Sequence, residues 1–164
     1  MGMEKQETVK QICIHKSGWE CHKHKWEDKK DWTIEGMKEF HMKVRKFSDI
    51  AYHYIIQRDG TLVVGRDIKY MPASATGHNK EVAAICLIGE FTVEEPSDAQ
   101  INTLKILLLK LCKEYNIDTD MHHIFCHCDY RDPPGNRYCP GKNLHRRVPE
   151  LCNWVREALK KGVK

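Results

Sequence analysis

No stretch of the 164-residue chain approaches the roughly 20 consecutive apolar residues that a membrane-spanning helix requires, so bilayer insertion is not expected. The amino terminus mixes charges of both signs and lacks the continuous apolar centre of a secretory signal. Gln6 stands where a myristoylation signal needs Ser or Thr, so no lipid anchor is expected, and the protein should be kept in the cytoplasm. No C-x-x-C pair is present, which weighs against a nucleic-acid-binding zinc protein in spite of the Lys/His-rich stretch after His15. The H-x-E and P-C-x-x-C signatures of zinc deaminases are missing too. No repeat, low-complexity tract or linker divides the chain, and its length suits one domain over residues 1–164.

What is present is the composition of a soluble globular protein, 41% hydrophobic and 30% charged. A net charge of +4 suits an anionic partner such as a cell envelope or nucleic acid, but a charge this small decides nothing alone. Several of the eight cysteines sit inside apolar runs, Cys13 between isoleucines and Cys86 between Ile85 and Leu87. There a reduced thiol behaves as a small hydrophobe, and free thiols are expected.

Residues 9–14 read as a strand, followed by a loop without clear period over residues 16–31. Thr33 caps a helix whose apolar face would be Ile34, Met37, Phe40, His41 and Val44. A hairpin is predicted over residues 52–64 around Arg58-Asp59-Gly60, and a strand over 82–88. Ser97 and Gln100 form a capping box ahead of a helix lined by Leu104, Leu107, Leu108 and Leu111 and running to about Tyr115. A short strand follows at 123–126, then a loop over 129–141 dense in Pro and Gly, then a last helix with Pro149 in its first turn. The irregular alternation predicts an α/β fold, a central mixed sheet flanked by helices.

Hydrolytic zinc sites offer three His, Cys or carboxylate ligands and leave a fourth position for water. His15 at the end of the first strand, His127 after a later strand and Cys139 twelve positions on in the breaker-rich loop make one such set. Ten histidines and eight cysteines allow others, among them Cys21, His22 and His24, or Cys126 with Cys128. Spacing alone does not choose between them. His53 should face away from Tyr52 along its strand and be structural, while His41 and His145 read as surface or helix-packing residues.

Four segments, KQICIHKSG, AYHYIIQRDGTLVVGRD, AICLIG and HCDYRDPPGNRYCPG, resemble in this order the type-2 N-acetylmuramoyl-L-alanine amidases, the family that includes the peptidoglycan recognition proteins. The resemblance spans nearly the whole chain. It implies zinc (Zn2+) held by His15, His127 and Cys139, with Tyr52 facing the reacting carbonyl and Arg137 stabilising the oxyanion. Arg137 is a departure, since the phage member of the family has lysine there. His78 and Asn79 fall where relatives line the substrate groove, and Cys86 replaces the glutamate that some relatives use as general base, which leaves this chain on the tyrosine branch. The loop from His127 to Cys139 is longer than in the phage member, and Cys128 adds a thiol beside a zinc histidine.

The implied activity is cleavage of the amide between N-acetylmuramic acid and L-alanine in bacterial peptidoglycan, by an endolysin held in a host cytoplasm until lysis. A muropeptide-recycling amidase and a non-catalytic peptidoglycan-binding module are the alternatives, and Cys139 weighs against the second because such modules typically lose that cysteine. Nucleic acid is not an expected partner, and contact with a polymerase is implied only by analogy with the phage member.

Overall fold

Five short strands form one mixed sheet in the computed structural model, which describes residues 3–18, 30–130 and 138–163. Their order is β3-β2-β4-β1-β5, with β1 at Gln11–Lys16, β2 at Tyr54–Ile56, β3 at Leu62–Val64, β4 at Val82–Leu87 and β5 at Ile124–Cys126. β1 pairs parallel with β4 and β5, β2 pairs parallel with β4, and only the β2–β3 hairpin is antiparallel. The first strand lies two residues later than the sequence pattern suggests. Its pairing with β4 continues to Lys16↔Leu87, so His15 sits inside the strand, opposite Cys86, rather than beyond its end.

Alternation along the strands sorts the two faces. Ile12, Ile14, Ala83, Ile85, Leu87, Ile124 and Cys126 join the larger core. It is closed by α2 (Asp98–Tyr115) and α4 (Val148–Lys160), through Leu104, Leu108, Leu111, Leu151 and Val155 among others. Full burial of each such aliphatic side chain contributes about 1.5–3 kcal/mol, so this face anchors the sheet. The opposite face carries Cys13, His15, Cys86 and Phe125 and is covered in two patches. Met37, Ile50, Ile55 and Ile88 pack around Cys86, while Tyr130 packs near Cys13 and Phe125.

The predicted capping box is present, with Ser97 Oγ accepting from the Gln100 amide at 3.1 Å and Gln100 Oε1 accepting from the Ser97 amide at 3.1 Å. Buried Gln100 also donates through Nε2 to Ile88 O at 2.9 Å and to Ile56 O at 3.3 Å, tying α2 to the sheet. Gly60 closes the hairpin turn at φ +85, a left-handed conformation that favours glycine.

The helix after Thr33 departs from its predicted face. Only Ile34–Glu39 is α-helical (α1), and Phe40–Val44 continues as a π turn. The extra residue in that turn rotates the end of the helix, so Val44 is 63% exposed instead of joining Met37 in the core. A four-residue helix, α3 at Lys142–His145, was not predicted from the pattern. The seven cysteines among the described residues are all free thiols, and none of the described helices is long and apolar enough to cross a membrane.

Candidate metal centre

His15, His127 and Cys139 converge on the sheet face opposite α2 and α4, with one potential ligand atom from each lying within 4.8 Å of the others. Nδ1 of His15 is 3.7 Å from Cys139 Sγ, and the His15 and His127 rings are 4.8 Å apart. His15 comes from β1, which lies between β4 and β5, and His127 opens a 3-10 turn, His127–Asp129, directly after β5. Cys139 comes from the segment leading into α3.

The residues of this cluster are held by their surroundings. Asp129 closes the turn that carries His127, accepting from the Cys126 amide at 2.8 Å through Oδ2 and meeting His145 Nε2 at 2.9 Å through Oδ1. The Cys128 amide donates to Cys139 O at 2.8 Å, and the Lys16 amide donates to Cys139 Sγ at 3.4 Å. Gly141 lets the backbone press onto the chain after β4, since a Cβ there would lie 2.3 Å from Phe91 C, and φ is +94. The Asn143 amide then bonds Phe91 O at 3.1 Å. Lys16 Nζ pairs with Glu90 and bonds Thr92 Oγ1 at 2.6 Å, fixing the same segment to the end of β1.

The electrostatics suit a cation. His15 Nε2 is buried without a hydrogen-bond partner, an arrangement that costs about 1–3 kcal/mol unless something binds it. Burial, reinforced by His127, holds His15 well below the usual histidine range, and burial with a contribution from His78 lowers His127. Both therefore keep the lone pairs that metal ligation needs. Burial pushes the Cys139 thiol up to about 12, against the pull of the Lys16 amide and ammonium. A bound cation would reverse this by deprotonating the thiol. Two neutral imidazoles and a thiolate are a donor set that zinc accepts.

The other clusters of metal-ligand type among the described residues have their groups already occupied. In Cys126, Asp129 and His145 the carboxylate is shared between a backbone amide and the imidazole. In Asp118, Asp120 and His123, Asp120 Oδ1 receives the amides of His122 and His123 as well as His123 Nδ1.

Tyr52 lies just before β2, its ring 5.3 Å from that of His15. Burial and the neighbouring Cys86 and Cys139 push its phenol well above the usual tyrosine range, so it stays protonated. His78 stacks on Tyr130 with ring centroids 4.1 Å apart, and Tyr130 OH donates to His78 O at 3.2 Å. Tyr130 in turn meets the His127 ring edge-on at 6.3 Å, so His78 borders the metal cluster through it. Asn79 Oδ1 is engaged within its own loop by the amides of Ser74 and Ala75, at 3.1 and 3.0 Å. Arg137 lies outside the described residues, as do Cys21, His22 and His24.

Sequence reasoning assigned no role to Tyr130, which stands in the segment HCDYR with nothing to show that it would reach His78. The ion pair of Lys16 and Glu90 was also missed, its partners being 74 positions apart. His53 is structural, as predicted from alternation. Its Nδ1 accepts from the Ala84 amide at 3.0 Å and its Nε2 donates to Tyr70 O at 2.9 Å, while burial lowers its pKa to about 4.

The model of the family described as N-acetylmuramoyl-L-alanine amidase matches residues 5–142. Peptidoglycan-recognition protein LE of Drosophila melanogaster is 30% identical over 115 residues, 70% of this chain and 32% of that protein. The endolysin of Escherichia phage T7 is 32% identical over 87 residues, 50% of this chain and 57% of the phage protein. The chain thus spans about a third and just over half of these two relatives. Among solved structures, the N-acetylmuramoyl-L-alanine amidase LysC from Clostridium intestinale superposes with a TM-score of 0.74 at 26% identity, covering 100% of this chain and 92% of that one.

Proposed function

The chain belongs to the N-acetylmuramoyl-L-alanine amidase family, and from that premise we propose that it is a zinc-dependent amidase of the endolysin type. Its substrate would be bacterial peptidoglycan, and the bond cut would be the amide between the lactyl group of N-acetylmuramic acid and L-alanine of the stem peptide. The observation that carries this reading is the convergence of His15, His127 and Cys139 around a buried, unpartnered His15 Nε2. Similarity to a phage endolysin supports the lytic assignment, and similarity to the clostridial N-acetylmuramoyl-L-alanine amidase LysC supports the bond cut.

Under this reading His15, His127 and Cys139 hold the metal, which supplies a Lewis acid able to acidify water and polarise the scissile carbonyl. The chain's own groups do the rest. Tyr52, kept protonated by its surroundings, donates a hydrogen bond to the oxyanion that develops as water adds to the carbonyl carbon. Arg137, two residues before Cys139 in the sequence, would add positive charge that stabilises the same oxyanion, the role that the resemblance implies for it. His78, backed by Tyr130, lines the approach to the cluster together with Asn79. Collapse then breaks the carbon–nitrogen bond as the departing nitrogen takes up the proton given up by the attacking water, which leaves a carboxylate on the lactyl group and frees the amine of L-alanine.

The test is incubation of purified peptidoglycan with the protein, with and without a zinc chelator, and mass spectrometry of the products. Free stem peptides beginning in L-alanine, lost on chelation, are the expected result. Cut glycan strands would overturn the bond assignment, and retention on uncut wall would make the protein a binding module.

A further inference from the structure

The proposed chemistry leaves the imidazole of His41 without a task, although it reaches the residue before Tyr52. His41 lies in the π turn Phe40–Val44, where the Arg45 amide bonds Phe40 O at 3.0 Å. The altered turn swings His41 against the loop that enters β2. There its Nδ1 accepts the Ala51 amide at 3.2 Å, and its ring stands edge-on to Tyr52 with centroids 5.7 Å apart. Phe47 packs on the ring at 5.8 Å.

Ala51 is buried, so its amide cannot turn to water when this bond is lost. Backbone bonds restrain the same stretch, the Ala73 amide to Ala51 O at 3.0 Å and the Arg66 amide to Tyr52 O at 2.9 Å, and Arg66 Nε holds Ile50 O at 2.8 Å. His41 adds a side-chain restraint on Ala51, on the side from which its ring also abuts the phenol. Burial lowers its pKa to about 4, with Arg45 and Arg66 adding to the effect, so the ring is neutral and carries its proton on Nε2.

We infer that His41 is a positioning residue for Tyr52: through the Nδ1 bond to Ala51 and the edge contact it sets where the phenol stands relative to His15. The inference rests on the proposed role of Tyr52. It assigns the π turn a purpose, which is to deliver one acceptor atom to one backbone amide.

The experiment compares His41→Asn, His41→Gln and His41→Leu in the full-length, zinc-loaded protein. Asn places an acceptor where Nδ1 stands, whereas Gln places its polar group nearer the position of Nε2. The readouts are kcat and KM for stem-peptide release, zinc affinity by chelator competition, and the NMR signals of a selectively labelled Tyr52 ring. In Leu and Gln we expect kcat to fall about 10- to 100-fold, the scale of a small misplacement of a reacting group, with zinc affinity and KM within about twofold. Asn should recover most of kcat and the wild-type Tyr52 signals. Equal kcat in Asn and Gln would overturn the inference, and that comparison survives even if Leu fails to fold. Should the wild type release no stem peptide, the amidase reading fails by itself. The Tyr52 signals then decide, and signals unmoved in Gln would overturn the positioning role.

Discussion

His15 and Cys86 stand directly opposite each other on adjacent parallel strands, so a thiol lies beside the buried histidine of the metal cluster. Cys86 is fully buried and packs with Met37, Ile50, Ile55 and Ile88. Burial, with the neighbouring Cys139, pushes its thiol well above the usual cysteine range. A neutral thiol in an apolar patch is a filler, not a base. Cys86→Ala should therefore cost about 1 kcal/mol of stability through the small cavity left behind and lower amidase activity by no more than about threefold. Denaturant unfolding and a peptidoglycan assay check both halves. A loss of activity far beyond the loss of folded protein would mean that Cys86 takes part in the chemistry.

Zinc should stabilise the metal-free protein measurably. At free zinc about a hundredfold above Kd the expected gain is about 2.7 kcal/mol, seen as a rise in the thermal midpoint. In Cys139→Ser most of that rise should vanish along with stem-peptide release. A variant that keeps both would rule out Cys139 as a ligand.

Tyr52→Phe removes one hydroxyl and leaves the three metal-cluster residues in place. Loss of one oxyanion donor predicts a fall in kcat of about 10²- to 10³-fold, with zinc affinity unchanged. Competition with a chromophoric chelator separates this outcome from simple loss of metal.

His53 gives a pH signature that does not involve the metal. In the unfolded chain a histidine takes up its proton near the ordinary value of 6.5, whereas folded His53 does so only at about 4. The unfolded state binds more protons between these values. The stabilisation from neutral His53 is thus complete above pH 6.5 and is lost as pH falls toward 4, on the order of 3 kcal/mol. Urea unfolding across this window should show a flatter pH dependence in His53→Asn, which keeps an acceptor for the Ala84 amide but cannot take up a proton.

Much of the fold was legible because its signals are local. Asp59-Gly60 marks the hairpin turn, Ser97 with Gln100 marks the start of α2, and the leucines at three-and-four spacing mark its buried face. The strand limits were less so, because pairing with β4 carries β1 on to Lys16. The π turn has no marker in the sequence, which is why Val44 was placed in the core and His41 left as a packing residue. The metal cluster came from ordered resemblance and not from spacing. What distinguishes His15 physically, a ring nitrogen buried without a partner, emerges only once β1 is packed between β4 and β5. The supports of Cys139 were invisible for a similar reason: Lys16, Phe91, Glu90 and Cys128 come from three separate segments.

The hydrogen bond from the Cys128 amide to Cys139 O joins the two ends of the intervening segment directly beneath the cluster. Both stems are anchored outside the segment itself, one on β5 and the other through Gly141 against Phe91. His127 and the Cys139 thiol thus owe their places to contacts made at either end of that segment, through Asp129 and the Cys126 amide at one end and Gly141 against Phe91 at the other. Two residues well separated in the chain are thereby clamped to each other's neighbours by the main chain, so the spacing of the cluster is a property of the sheet edge and not of the connection between them.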